Sequence, residues 1–367
     1  MNHIIESPFN PQFGKKPVSF VGRYDVVDGL IREYHDLSAP ERVSIISGVR
    51  GSGKTSILSD ISSILEKTED WLVVNVATTE KLLENLLGIL MHKMSLKLHS
   101  RLPNINRVTV GTPFISVELG KSQTRDLAAF YPQLLSAMEE AKSHDLKVIF
   151  VIDEVNSTGE MREFVSTYQL LIRENYDIVL LMAGLPHFVD AMLNDKVLTF
   201  LRRAHQIFLS FIEPYMMKLE YDKTFRAAGR EFTEEALELA YISTGGYPYL
   251  YQLIGYFLWR SGDKEISLPT VEEAIEKSKG MLYQNVYSII YSELSRVEQQ
   301  FLHAMAFDEK VTEIQKVRQR MKKSSAYVNN YREKLLKMGL IQSASHGNVR
   351  FSLPFFRDYL MEQSKRV

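Results

Sequence analysis

The chain of 367 residues contains no cysteine. Disulfides, thiolate zinc sites and cysteine nucleophiles are therefore excluded, and a reducing, cytoplasmic setting is expected. Long apolar runs are missing as well: no stretch approaches the roughly 18 residues that a membrane span requires. The opening MNHIIESPFNPQFGKK lacks the apolar centre of a secretory signal. Nine histidines are present, yet none falls in an H-E-x-x-H or similar metal spacing. Net charge is nearly absent too, with 44 Lys and Arg against 45 Asp and Glu. Its distribution is more telling. Residues 285–367 hold 14 Lys and Arg against 8 Asp and Glu. A basic end on an acidic body suggests nucleic acid at that end.

What is present is a regular alternation. RVSIIS (42–47), WLVVNVA (71–77), KVIFVID (147–153), DIVLLMA (177–183) and HQIFLS (205–210) read as strands buried on both faces. Helical patterns such as KTSILSDISSILEK and EMREFVSTYQLLIRE lie between them. Strand–helix alternation predicts an α/β core with a parallel sheet covered on both sides. NRVTVGTPFISVELG (106–120) reads as a β-hairpin inserted into that rhythm. From about Pro214 the pattern turns helical, punctuated by GGYP and SGDKEISLP. The last residues offer three helical stretches and then LIQSASHGNVRFSL, two strands around an HGN turn. That is the layout of a winged helix-turn-helix. The expected division is a core over 1–213, a helical lid over 214–290 and a winged-helix domain over 291–367, in keeping with the length.

Chemistry enters with GVRGSGKTS. Gly48, Gly53, Lys54 and Thr55 satisfy G-x-x-x-x-G-K-[ST], with Arg50, Gly51, Ser52 and Ser56 completing the loop. Glycines let successive backbone N–H groups turn inward around phosphates, and the following helix directs its positive end at them. Lys54 would bridge the β- and γ-phosphates and the Thr55 hydroxyl would ligate Mg²⁺. The second element is KVIFVIDEVN, an apolar strand ending in Asp153 and Glu154. Acids at a strand's carboxyl end sit where open α/β sheets bind ligands. Asp153 suits holding the metal, and Glu154 suits polarising an attacking water. Taken alone, such a pair could simply be helix-starting acids; a phosphate loop about a hundred residues upstream makes the catalytic reading the stronger one.

With these motifs in order, the chain resembles an AAA+-related P-loop ATPase of the STAND and origin-initiator-like group. PVSFVGRYDVVDGL resembles the box that contacts the nucleotide base in that group, with Phe20, Val21, Gly22 and Arg23 matching. TGGYPYLYQL resembles the GGxPxxxQ signature of the lid, with Gly245, Gly246, Pro248 and Gln252 matching. The resemblance implies ATP or ADP and Mg²⁺ as ligands, and an ATPase whose nucleotide state controls the C-terminal domain. It also shows departures. The fourth strand ends in Ala183 and Gly184 where relatives often carry Asn, and Pro248 stands where many carry a lid Arg. His187 is the nearest polar substitute, and it also reads as a helix-starting residue. Slow or partner-dependent turnover is therefore expected. Arg202 and Arg203 precede the fifth strand where relatives place an arginine finger acting from a neighbouring subunit, though basic residues closing a helix read the same way.

The basic end follows the same logic. In a winged helix, SSAYVNNYREKLLKMG would be the recognition helix, opened by a Ser cap and closed at Gly339. Ser325, Asn329, Arg332 and Tyr331 or Asn330 would face a groove of double-stranded DNA. Lys316, Arg318, Arg320, Lys322, Lys323 and Arg350 suit its phosphates. Winged helices also serve as protein-docking modules or covers over nucleotide sites. The alternative is thus a STAND-type switch acting on a protein partner without DNA. The aromatic run YPYLYQLIGYFLW reads as helix-packing core.

Overall fold

The computed structural model describes residues 7–12, 19, 21, 23–101 and 130–365. The hairpin expected at 106–120, together with Phe20 and Gly22, lies outside these residues. The core runs α1 (Tyr24–Tyr34), β1 (Val43–Ser47), α2 (Lys54–Glu66), β2 (Trp71–Ala77), α3 (Leu82–Arg101), α4 (Phe130–Ser143), β3 (Lys147–Asp153), α5 (Gly159–Arg173), β4 (Ile178–Gly184), α6 (Pro186–Leu193) and β5 (His205–Phe208). The strands form one parallel sheet in the order β2-β3-β4-β1-β5. β4 therefore separates β1, which feeds the glycine loop, from β3, which ends in Asp153.

Alternate residues of each central strand feed opposite apolar layers. Ile45, Phe150, Ile152, Leu180 and Met182 meet α3, α4 and α5 on one face. Ile46, Ile149, Val151, Val179 and Leu181 meet α1 and α2 on the other. This double covering is why the strands read as continuous apolar runs. β5 departs from the expectation of burial on both faces: it pairs with β1 alone, and three of its four residues are exposed. An edge strand has one neighbour and need bury little.

Beyond the sheet come α7 (Pro214–Ala227), β6 (Glu231–Phe232), α8 (Glu234–Ser243), α9 (Pro248–Ser261), β7 (Glu265–Ile266) and α10 (Leu268–Leu282). A π-helical turn at Tyr283–Tyr287 joins α10 to α11 (Ser288–Glu293). The C-terminal unit then follows: α12 (Arg296–Ala306), β8 (Thr312–Glu313), α13 (Ile314–Met321), α14 (Ser325–Lys337), β9 (Ile341–Ser345), β10 (Asn348–Phe351) and α15 (Phe356–Ser364). Ser295 and Glu298 cap α12 reciprocally, and Ser324 caps α14 by accepting from Tyr327 N–H. β10 pairs antiparallel with both β9 and β8. The helix α15 has no counterpart in the sequence reading.

A third apolar cluster runs without a break from Met217 to Leu360 and takes in Phe9, Val21 and Val49. Helices of 214–293, the C-terminal unit, the amino-terminal segment and the glycine loop thus share one core. Among the described residues no helix is long and apolar enough to cross a membrane.

Candidate nucleotide site

The glycine loop leaves the carboxyl end of β1 and winds into α2. Two of its residues have left-handed backbone, Gly51 at φ +76° and Gly53 at φ +94°, a region that residues with a β-carbon avoid. Gly51 is also crowded: a β-carbon there would lie 2.4 Å from the Tyr247 hydroxyl and 2.9 Å from Tyr249 Cβ. At Gly53 a β-carbon would meet nothing within 4 Å, so that side of the loop is open. The loop borders a cavity of about 400 Å³ shared with Val21, Asp153, Glu154, Pro248 and Gln252.

Lys54 lies over the loop, its ammonium donating to the Gly48 carbonyl at 2.8 Å and the Val49 carbonyl at 3.0 Å. Burial lowers its pKa from 10.5 to about 8, with Asp153 pulling the other way and Arg50 adding to the fall. The Thr55 hydroxyl donates to Asp153 Oδ2 at 2.7 Å. Asp153 Oδ1 in turn accepts the Glu154 N–H at 2.9 Å. Glu154 takes the left-handed conformation at φ +55°, and its side chain is exposed beside the cavity. The next two links fix this corner, since Val155 N–H donates to the Ala183 carbonyl and Thr78 N–H to the Asp153 carbonyl.

The loop is held by the lid as well. Tyr247 is fully buried and donates to the Arg50 carbonyl at 2.6 Å. Gln252 accepts Asn10 N–H at 2.9 Å and donates to the Ser19 carbonyl at 2.7 Å. The Ser19 hydroxyl lies 2.8 Å from that of Tyr251. Phe9 anchors this segment, packed among Tyr221, Phe225, Tyr251 and Trp259. As a result Asn10, Pro11 and Gln12 join the cavity wall with Ser59, Ile212, Met217, Tyr249 and Tyr251, a contribution the sequence reading missed. The one available signal was Gln252, a polar residue within the apolar run that opens α9.

The other expected residues divide clearly. Ser56 and Pro248 line the cavity, with Pro248 opening α9. Ser52 is buried, and its hydroxyl has no partner among the described residues. Arg23 turns away onto the Ser210 carbonyl, and burial lowers its pKa. At the end of β4 a polar side chain is sterically barred: a β-carbon at Gly184 would come 2.8 Å from Val155 Cγ2. His187 does not line the cavity; it is the second residue of α6, half buried against Phe188. Burial lowers its pKa, Glu293 opposing. Arg202 and Arg203 precede β5 at the sheet's amino end, opposite the glycine loop. Arg202 donates to the Leu193 carbonyl at 2.8 Å, and Arg203 borders a separate cleft with Pro40 and Phe200. Within one chain neither joins the loop.

On the basic end, Lys316, Arg318, Lys322, Lys323, Ser325, Asn329 and Arg350 are exposed. Lys316 pairs with Glu313 at 3.6 Å and Lys323 lies over the Tyr327 ring, and two further members are engaged by hydrogen bonds within the chain. Arg320 donates two hydrogen bonds to the Asp308 carboxylate, at 2.7 and 2.8 Å, and a third to the Ala304 carbonyl. Arg332 is mostly buried and bonds Glu333 and the Ser343 hydroxyl.

The donor set suits a phosphate chain with a hard divalent cation. Open loop backbone and an ammonium suit anionic oxygens, while a hydroxyl and a carboxylate in contact are oxygen ligands of the Mg²⁺ type. Among the described residues no three His, Cys, Asp or Glu gather into another metal cluster. The fold matches solved structures over nearly its whole length. A Walker-type ATPase of Pyrococcus abyssi superimposes with a TM-score of 0.66 at 15% identity, covering 93% of this chain and 98% of that one. The ORC2 protein of Aeropyrum pernix, in complexes with ADPNP and ADP, gives 0.62 at 13% identity, covering 94% and 95%. Likeness at such identity shows the fold alone: a parallel α/β core followed by helical units, shared with these two structures over nearly their whole length. Residues 284–360 match a family described as a domain of unknown function (DUF8462). No curated protein matches the chain.

Proposed function

We propose that this protein is a Mg²⁺-dependent ATP-binding protein and slow ATPase whose nucleotide state controls a C-terminal winged-helix domain that contacts double-stranded DNA. The observation that carries the reading is the Thr55–Asp153 hydrogen bond, which joins the glycine loop to the acidic strand across the intervening β4. In this reading the loop N–H groups and Lys54 bind and orient the phosphates. Thr55 and Asp153 hold Mg²⁺, which neutralises charge on the phosphate oxygens when bound. Glu154 orients the attacking water and accepts its proton. With a glycine and not a polar residue closing β4, nothing there helps hold that water, so turnover is slow. A guanidinium from Arg202 or Arg203 could reach the phosphates only from a second copy of the chain.

The exposed cations Arg318, Lys322 and Lys323, with Arg350 on the hairpin, support DNA as the partner. A second reading, a STAND-type switch acting on a protein, is favoured by the docking of the C-terminal unit on the core, where Lys337 pairs with Asp190 at 3.2 Å. ATPase rate measured with and without duplex DNA, over a range of protein concentration, separates them. DNA stimulation, together with a salt-dependent mobility shift weakened by Lys322→Glu plus Lys323→Glu, supports the first reading. A rate indifferent to DNA, with no shift at low salt, refutes it and leaves the switch. A rate per chain that is flat with concentration excludes the trans arginine.

A further inference from the structure

Arg50 is a partly exposed residue of the glycine loop. Arg50 borders the cavity together with Lys54. On its other side, Arg50 Nη2 lies 3.8 Å from Glu293 Oε1. That separation is an ion pair too long for a hydrogen bond. Arg50 Nε is buried with no partner among the described residues. The guanidinium, which has five donors, is thus underused: one loose carboxylate and one unmet N–H.

Glu293 is placed at a junction. It ends α11, the last turn of the run that begins at Leu268, and Ser295 then opens the C-terminal unit. That unit touches the loop next to Arg50: a β-carbon at Gly339, just after α14, would lie 2.7 Å from Val49 Cγ1. Consecutive loop residues therefore meet the unit and the helix that leads into it, Val49 by contact with the unit and Arg50 by charge with the end of α11, while the Arg50 carbonyl is fixed by Tyr247. A phosphate group entering the cavity offers several acceptor oxygens and more negative charge than one half-exposed carboxylate. It can satisfy Nε and a terminal nitrogen together in the bidentate geometry that arginine favours. Once the guanidinium turns to phosphate, Glu293 loses its counter-charge and faces an anion.

We propose that Arg50 is a phosphate-sensing residue: it holds the C-terminal unit on the loop through Glu293, and exchanges that carboxylate for nucleotide phosphate, loosening the unit. This rests on the nucleotide-binding reading above and names the residue pair that would transmit the state.

The test uses the full chain, calorimetric titration with Mg-ADP and a non-hydrolysable ATP analogue, and hydrogen exchange over residues 335–341. In the wild type, ligand raises exchange in that segment. Glu293→Gln removes the competing charge, so it raises exchange without ligand and tightens ADP binding about two- to fivefold, the range of an exposed ion pair. Arg50→Gln still binds through Lys54, more weakly, but ligand no longer changes exchange; should it fail to fold, Arg50→Lys, which keeps the charge and lacks the fork, gives a partial response. Wild-type affinity and exchange in Glu293→Gln, or full transmission in Arg50→Gln, overturns the inference. Ligand binding with unchanged exchange in the wild type overturns it alone. No binding by the wild type removes the nucleotide reading and this inference with it.

Discussion

Replacing Gly51 by Ala tests how tightly the lid grips the loop. Two costs apply. The backbone stands at φ +76°, and a β-carbon in left-handed conformation costs roughly 1–2 kcal/mol. The new methyl would also lie 2.4 Å from the Tyr247 hydroxyl and 2.9 Å from Tyr247 Cζ and Tyr249 Cβ. Tyr247 cannot simply retreat, because it is fully buried and its hydroxyl serves the Arg50 carbonyl. Breaking that bond leaves a buried group unmet, at about 1–3 kcal/mol. The expected loss is about 2–5 kcal/mol. Gly53→Ala is the internal control: its φ of +94° is strained as well, but its β-carbon meets nothing, so only the roughly 1–2 kcal/mol backbone cost applies. Urea unfolding followed by tryptophan fluorescence reads both variants through Trp71 and Trp259. If the two variants lose the same stability within about 0.5 kcal/mol, Tyr247 is not fixed against the loop, and the reasoning fails.

Other outcomes follow from the same contacts. Since burial lowers Lys54 to about 8, ADP affinity should fall as pH rises through that value, by at most about tenfold per unit. The stability effect has the opposite sign: the penalty on the buried ammonium is complete below about 8 and is relieved towards its free value of 10.5. Calorimetry from pH 7 to 9.5 checks the first effect, and an affinity flat across that range would refute it. Phe9→Ala empties a site ringed by Tyr221, Phe225, Tyr251 and Trp259; it should cost about 3–5 kcal/mol and weaken nucleotide binding by loosening Asn10–Gln12, whereas unchanged urea midpoint and affinity would contradict the packing. Arg320→Ala loses the Asp308 pair and the Ala304 bond, so it should lower stability by roughly 1–3 kcal/mol and leave DNA affinity within about twofold. A tenfold loss of DNA affinity at unchanged stability would return Arg320 to the phosphate-contacting set.

Much of the site was legible because its determinants are local. Glycines at fixed spacing, an apolar strand before them and a strand ending in two acids each carry their meaning within about ten residues. The doubly covered strands were readable for the same reason: burial on both faces writes an unbroken apolar run, as in β3 and β4. What escaped depends on which distant segment arrives. β5 opens with His205 and Gln206, and at the sheet edge its Phe208 is exposed as well. SPFNPQ is unremarkable as a string, yet Phe9 lies in the lid core and Asn10 bonds Gln252, 242 positions away. Arg320 and Lys322 look alike along the chain; Asp308, brought beside α13 by folding, claims one and not the other. The Tyr247 hydroxyl read as core aromatic because its partner, the Arg50 carbonyl, is backbone and leaves no mark on the sequence.

The central claim is that the glycine loop binds nucleotide through Lys54 and the Thr55–Asp153 pair. Titration of the purified chain with Mg-ATP, beside Lys54→Ala, tests it most directly. The account predicts saturable one-to-one binding by the wild type and an affinity about 10- to 100-fold weaker in the variant, the value of a charge-assisted bond to phosphate. No binding by the wild type, or equal binding by both, would contradict it.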